Sequence, residues 1–189
     1  MPMLRILFAA AFLAALVLPA LAADEILEAI EQARKAYQAG DMTNAKQSLD
    51  LASQLVGQKN AESFAALLPA ALPGWKAEKA ETTSVGVTVF GVTSASRRYI
   101  APDDRDVQVR ITGDSAMVMQ FAQLFMNPAI AGAMGKLIRV GNERAIQTHE
   151  GSINLVVANK FLVTVDGSAD AAAKLAYAQA VDVAKLSKM

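Results

Sequence analysis

The 189-residue chain contains no cysteine and only one histidine, His149. Without cysteine there is no disulfide, no thiolate ligand for a metal and no cysteine to carry a lipid. A single histidine also excludes the usual zinc sites, which take several His or Cys ligands. The sequence has no phosphate-binding glycine loop, nucleophile elbow or zinc signature either. We therefore predict no cofactor and no metal, and favour a protein that is not an enzyme.

Neither sign of charge is in excess, because the chain has 18 basic and 18 acidic residues. This balance lacks the basic surplus that proteins binding nucleic acid need to neutralise phosphates. We therefore expect no nucleic-acid partner.

The first 22 residues have the layout of a secretory signal peptide. One basic residue, Arg5, precedes an apolar run from Ile6 to Leu18 and the ending Pro-Ala-Leu-Ala. That run is shorter than the roughly 20 residues that cross a bilayer. We predict cleavage after Ala22 or Ala23 and a soluble periplasmic protein without a membrane span. The loss of Arg5 leaves 17 basic against 18 acidic residues, a net charge of −1.

A helical hairpin is predicted for residues 23–60. Apolar residues recur three or four apart from Asp24 to about Val56, and Gly40-Asp41 interrupts the pattern. The predicted apolar faces comprise Ile26, Leu27, Ile30, Ala33 and Tyr37 in the first helix, and Ala45, Leu49, Ala52, Leu55 and Val56 in the second. We expect this face to pack on the rest of the protein; the alternative is a docking surface for a partner.

The stretch ARKAYQAGDMTNAKQSLDLA resembles one tetratricopeptide repeat. The Gly40-Asp41 turn, Ala45, Leu49 and Ala52 stand at the spacing of that repeat, whereas Ala29 stands where the family prefers tryptophan. The resemblance covers about 30 residues and occurs once, while such repeats normally need about three copies to form a continuous core. A peptide-binding groove is therefore not implied.

A packed joint is predicted for residues 61–76, which include the stretch FAALLPAALPGW. Pro69 and Pro73 end the helix there. The large apolar residues between Phe64 and Trp75 make the segment too apolar for a flexible tether. We predict that Trp75 is mostly buried between the hairpin and the sheet and that the hairpin does not swing freely.

Residues 77–189 are predicted to form an α+β domain with the order β-β-α-β-β-β-α, in which an antiparallel sheet carries its helices on one face. The first strand alternates from Val85 to Phe90 and continues, past a bend at Gly91, to Ile100; the second runs from Val107 to Thr112. Ser115 can cap a helix that ends at Asn127-Pro128, and a looser apolar segment follows. The remaining strands are residues 136–140 or 136–149, 152–158 and 161–166, followed by a closing helix from residue 169.

This order is similar to the Mog1/PsbP-like topology. The residues LP and PGW followed by a strand with RRY also resemble small exported proteobacterial proteins of unassigned function. Neither resemblance brings catalytic residues to this chain.

Residues 116–135 contain no charged side chain. A helix that is apolar nearly all round must be buried on more than one side or meet a partner. We expect it between the sheet and the hairpin, with an exposed contact surface as the alternative. That surface would comprise Met117, Phe121, Leu124, Phe125 and Met126, and its partner would be another periplasmic or envelope protein.

A small-ligand or enzymatic site is the alternative to an interaction module. It would gather Arg98, Asp104, Asp106 and His149 around one pocket, with Asp103 as a further oxygen donor for an ion. Arg105 interrupts the acidic run, and the run lacks the glycine and glutamate of an EF-hand loop. The hypothesis requires these side chains to converge, which the sequence alone does not decide.

Overall fold

A computed structural model describes residues 24–84, 92–113 and 116–189. The predicted signal peptide, the predicted strand from Val85 to Phe90 and the predicted cap Ser115 lie outside the described residues.

The front of the molecule is a hairpin of two helices, α1 (Glu25–Gln38) and α2 (Met42–Leu67). Asp24 caps α1 by accepting hydrogen bonds from the Ile26 and Leu27 amides, and Asp41 caps α2 by accepting one from Asn44. Helix α2 continues past residue 60, the predicted end of the hairpin, into the segment predicted as the joint. It ends where Leu68 adopts an extended conformation before Pro69.

Eight strands of the described residues form one antiparallel sheet, which confirms the predicted α+β class. They are β1 (Lys76–Ala77), β2 (Glu81–Ser84), β3 (Thr93–Ile100), β4 (Asp106–Gly113), β5 (Gly135–Val140), β6 (Glu143–Thr148), β7 (Ile153–Val157) and β8 (Phe161–Asp166). The order across the sheet is β1-β3-β4-β8-β7-β6-β5, and β2 pairs with β3 beside β1.

The sheet has more strands than the five predicted. Ser84 in β2 lies opposite Thr93 in β3, and the two strands are antiparallel. Strand β2 ends before the first predicted strand begins, and it is an additional partner of β3. The segment from residue 136 to 149 divides into β5 and β6, because Gly141 has φ +59° and turns the chain.

Two helices lie between β4 and β5. Helix α3 (Ala116–Met126) has the predicted extent. The segment predicted to be loose forms a short helix, α4 (Pro128–Met134), because the Asn127 side chain accepts hydrogen bonds from the Ala129 and Ile130 amides and proline suits the first helical turn. The chain closes with α5 (Ala171–Ala180) and α6 (Val183–Leu186).

The core lies between one face of the sheet and α2, α5 and α6. Val109, Ile111, Val163 and Leu155 are fully buried on this inner face. Phe64 from the last turns of α2 packs edge to face on Phe161 of β8, with ring centroids 5.6 Å apart. The same helix therefore forms half of the hairpin and part of the sheet's core, which fixes the hairpin to the sheet.

Residues 68–75 join α2 to the sheet, and their backbone is held by buried polar groups. The carbonyl oxygen of Pro69 accepts hydrogen bonds from the Tyr99 hydroxyl at 2.7 Å and from Arg97 Nη1 at 3.2 Å. The Leu72 amide donates to the Tyr177 hydroxyl at 3.2 Å. Trp75 is mostly buried, as predicted, and packs edge to face on Tyr177 of α5.

Candidate functional site

The seam between α1 and α2 is lined by small residues. Ala29 and Ala33 of α1 and Ala45 and Ala52 of α2 are each no more than 5% exposed. Alanines allow two helices to approach closely, but each contributes little apolar area to the contact. The large apolar side chains of the hairpin therefore lie elsewhere.

Seven large apolar side chains of the hairpin are between 42% and 65% exposed, and all but Leu51 form two rows. We call these two rows the apolar strip: Leu27, Ile30 and Tyr37 of α1, and Met42, Leu49 and Val56 of α2. The three residues on α2 recur every seven positions, so they lie within about 40° of one line along that helix. Those on α1 fall within about 80° of one another.

The two rows of the strip lie on the same side of the hairpin. On a helical wheel drawn from the N-terminus of each helix at about 100° per residue, the large residues lie on the same rotational side of the seam alanines in α1 and in α2. Because the two helices run antiparallel and face each other across the seam, this shared direction of rotation places both rows on one side of the hairpin. Tyr37 then lies beside Met42 near the turn, and Ile30 lies beside Leu49 further along.

The apolar strip is not covered by the sheet, contrary to the expected packing of the hairpin on the rest of the protein. Among the described residues, the extensive contacts of α1 are all with α2. The sheet is reached by the C-terminal part of α2, where Phe64 enters the core and Gly57 lies near Ser84 of β2. The strip lies on the part of the hairpin that extends beyond this attachment.

Charged side chains lie at the borders of the strip and, on α1, within it, because Arg34 falls between Ile30 and Leu27 on the helical wheel. On α1, Arg34 pairs with Glu31 at 2.7 Å, and on α2, Lys46 pairs with Asp50 at 2.8 Å. Residues 24–56 contain six acidic side chains and three basic ones, so this part of the hairpin has a formal charge of −3. A net negative charge does not favour contact with an anionic bilayer.

The predicted surface on residues 116–135 is described only in part. Of its five residues, Phe121 is half-buried, and the side chains of Met117, Leu124, Phe125 and Met126 lie outside the description. On the same helix Val118 and Ala122 are buried and Met119 is exposed. This surface therefore stays a prediction.

Arg98 and Asp106, two residues of the alternative site, do come together. Arg98 Nε lies 3.0 Å from Asp106 Oδ2, and both line a cleft of about 340 Å³ with Glu78, Lys79, Glu81, Ser96, Arg97 and Gln108. Hydrogen bonds from Ser168, with further contributions from Arg98, lower the pKa of Asp106. These contacts join the β3–β4 hairpin to the segment after β8. The hydrogen bonds of the Asp106 carboxylate therefore serve the structure.

The other residues of the alternative site lie apart from the cleft. Asp103 is paired with Arg105 at 2.7 Å, and the arginine also reaches Asp170, so a cation would compete with a guanidinium. Asp104, with φ +63°, forms the exposed tip of the β3–β4 turn. His149 is exposed in the β6–β7 turn, and β8 and β7 separate β6 from β4 in the sheet. At about 4.8 Å per strand, His149 is on the order of 14 Å from Asp106.

Strand alternation alone did not show what the Arg97 side chain contacts. It shares the inner face with Tyr99 and points toward the joint, where it donates a hydrogen bond to the Pro69 carbonyl. Its Nε atom is buried and has no hydrogen-bond partner among the described residues. Arg97 is therefore a structural anchor of the joint, while Arg98 on the opposite face forms the surface ion pair.

The exposure of the apolar strip differs from the packing that the sequence interpretation preferred, which kept a docking surface on the hairpin as its alternative. The helical periodicity placed Leu49 and Val56 on the same broad face as Ala45 and Ala52, and we expected that whole face to be buried. The alternation of alanine with large residues was the available signal, because an all-alanine seam needs close helix approach and leaves larger neighbours at its flank.

Among the described residues, no group of three or more His, Cys, Asp or Glu side chains is arranged to hold a metal ion. No helix in the described ranges is both long enough and apolar enough to cross a membrane. Comparison of the chain with protein-family models, with curated proteins and with solved structures finds no match in any of the three.

Proposed function

We propose that this protein is a non-enzymatic interaction module of the bacterial periplasm that binds another protein chain through the apolar strip of its helical hairpin. The observation that supports this proposal is the inverted packing of the hairpin. Its alanines fill the seam, while six large apolar side chains face outward on one side. Exposed apolar area of this kind, roughly 600 Å², is at the upper end of the largest patch on an ordinary monomer and often marks a contact site.

The partner we propose presents an apolar helical stripe to the strip. Two rows of side chains on adjacent antiparallel helices leave a shallow groove between them, into which a third helix or a helix pair can pack. Such a partner matches the heptad spacing of Met42, Leu49 and Val56. The absence of basic residues clustered around the strip argues against a lipid surface as the occupant.

Site-specific photo-cross-linking tests the proposal in the exported protein. We expect benzoylphenylalanine at position 49 to cross-link to a protein segment that mass spectrometry identifies as an amphipathic helix. Position 51 is the matched control, because Leu51 is also an exposed leucine of α2 but lies about 200° away from Leu49 around the helix. Equal cross-linking at both positions, or none at position 49, would overturn the proposal.

The location in the periplasm is a separate part of the proposal. It is supported by the layout of residues 1–22 and by the start of helix α1 at Glu25, directly after the predicted cleavage sites. Intact mass measurement of the protein from a periplasmic fraction tests it. We expect a chain beginning at Ala23 or Asp24, and recovery of the full-length chain from the cytoplasm would contradict export.

The uncharged segment of residues 116–135 is proposed as a second, smaller part of the contact surface. A pull-down from periplasmic extract with wild type, Phe121→Asp and Met126→Asp tests this part. Circular dichroism of each variant checks that it remains folded. Unchanged capture by folded variants would limit the contact surface to the hairpin.

A further inference from the structure

We infer that β5, the strand at one edge of the sheet, is a further binding surface, and that it takes up an acidic protein segment as an added β-strand. This surface is separate from the apolar strip and does not depend on it. Strand β5 lies at the end of the strand order, and among the described strands only β6 pairs with it. Its other edge therefore presents backbone amide and carbonyl groups to which an extended segment can hydrogen-bond.

Two arginines lie directly opposite each other in the β5–β6 hairpin. Arg139 of β5 is in register with Arg144 of β6, so their Cα atoms are about 5 Å apart and their side chains share one face of the sheet. Like charges in these positions destabilise a sheet. Glu143 is the only acidic residue of the hairpin, and it lies on the other face, opposite Val140. No carboxylate of the hairpin therefore offsets the repulsion between the two arginines.

The rest of the described chain does not neutralise these arginines either. Arg139 and Arg144 are exposed, and neither forms an ion pair or a side-chain hydrogen bond with a described residue. Arg34 and Arg98, by contrast, each lie within 3.0 Å of a carboxylate oxygen. A guanidinium can bind a carboxylate through two parallel hydrogen bonds, so this unpaired couple favours an acidic partner.

The side chains of β5 specify the sequence pattern of that partner. A cation, two apolar side chains and a second cation follow one another in Lys136, Leu137, Ile138 and Arg139. Leu137 is 51% exposed, and an open cleft of about 440 Å³ lies beside it and both arginines. The complementary strand carries an acidic residue, two apolar residues and a second acidic residue. This pattern is the same in both directions, so it matches a parallel or an antiparallel added strand.

Backbone hydrogen bonds distinguish this partner from a free anion. An exposed ion pair contributes little affinity, because water and salt screen it. A strand that adds to β5 gains main-chain hydrogen bonds as well as the ion pairs. The charges then select an acidic strand. They also disfavour antiparallel pairing with β5 of a second copy, in which Lys136 of one chain would oppose Arg139 of the other.

Fluorescence anisotropy with a labelled peptide tests the inference. The probe is fluorescein-labelled Thr-Glu-Val-Val-Glu-Thr, which we expect to bind the purified protein with a Kd in the micromolar range at low salt. We expect Arg139→Glu to weaken binding by about 10-fold or more, because it replaces an attractive charge with a repulsive one. Arg110→Glu is the matched control and should bind like wild type. Arg110 is also exposed and unpaired among the described residues, but β8, β7 and β6 separate its strand from β5.

A peptide that is N-methylated at both valines distinguishes strand addition from simple charge attraction. We expect it to lose most of the binding, because N-methylation removes backbone donors and keeps the acidic side chains. Equal binding of both peptides would overturn the inference, since the arginines would then act as a site for any anion. No binding of the unmodified peptide at protein concentrations of up to about 1 mM would overturn it as well.

Urea unfolding tests the repulsion between the two arginines. We expect Arg139→Glu to raise the urea midpoint, because the variant places opposite charges in register with each other. A variant that is more stable but binds the peptide more weakly would show that the loss of binding does not come from unfolding. An unchanged or lower midpoint would contradict the repulsion on which the inference depends.

Discussion

The hydroxyl of Tyr99 donates a hydrogen bond of 2.7 Å to the carbonyl oxygen of Pro69, across the boundary between the sheet and the joint. Tyr99 is fully buried, and its ring lies 4.3 Å from that of Tyr177, which receives a hydrogen bond from the Leu72 amide. Two buried tyrosines thus satisfy backbone groups of a segment that forms no regular structure.

Replacement of Tyr99 by phenylalanine removes this hydrogen bond without removing the ring. We expect the free energy of unfolding to fall by about 1 kcal/mol, because the Pro69 carbonyl keeps its hydrogen bond from Arg97. Urea unfolding at one fixed protein concentration measures the change. Tyr37→Phe is the control, since Tyr37 is 65% exposed, and an equal loss in both variants would contradict the role of the Pro69 contact.

Gly113 is predicted to tolerate no side chain at the end of β4. A Cβ atom there would lie 2.7 Å from Phe64 Cζ and 2.8 Å from Phe161 Cδ1, the two rings that fix α2 to the sheet. We expect Gly113→Ala to destabilise the protein by about 1–3 kcal/mol through overpacking. Gly132→Ala in α4 is the matched control, because no atom lies within 4 Å of its Cβ position and alanine favours a helix. A stable Gly113→Ala protein would show that the two rings can move apart easily.

The stability of the protein should decrease in acid partly because of Asp106. Its pKa is lowered in the folded state, first by hydrogen bonds from Ser168 and then by Arg98. The ionised form is therefore favoured by folding. Its contribution is complete above the unfolded pKa of about 3.9 and is lost as the pH falls toward the lower folded pKa.

Asp106→Asn measures that contribution. We expect this variant to be less stable than wild type by about 2 kcal/mol at pH 7, with a difference that shrinks below about pH 4. Urea unfolding at several pH values provides the measurement. Asp50→Asn, which removes an exposed surface pair with Lys46, should change stability little. A constant difference for Asp106→Asn across this range would contradict the linkage.

The sequence predicted local structure better than it predicted which faces would be covered. The C-terminal end of α3 followed from Asn127-Pro128, because proline disfavours helix in the residue before it. The end of β5 at Val140 is one of the two predicted limits, and glycine at position 141 permits the positive φ of the turn there. The strand register that places Val109 between Arg97 of β3 and Val165 of β8 could not be predicted in the same way. It depends on side chains far apart in the chain, and alternation alone does not specify it.

The candidate site shows the same limit. Periodicity identified the helix faces that carry Leu49 and Val56, but it did not decide whether the sheet covers them. Coverage depends on where α2 enters the core, and Phe64 sets that point more than ten residues beyond Leu49. The pairing of Arg98 with Asp106 was within reach, since both residues belong to one predicted hairpin, whereas the distance of His149 required the strand order.

Trp75 provides a direct measure of how tightly the joint is packed, because it is the chain's only tryptophan. Its amide donates to the Leu72 carbonyl at 2.9 Å, and its ring lies edge to face with Tyr177 at 5.3 Å. Since the side chain is partly buried, we expect iodide to quench its fluorescence measurably, but clearly less than in the urea-unfolded chain. Tyr177→Leu should increase the quenching of the folded protein, because the leucine lacks both the ring and the hydroxyl that holds Leu72. If the folded wild type is quenched as strongly as the unfolded chain, the joint is open to solvent, and the hairpin is free to move relative to the sheet.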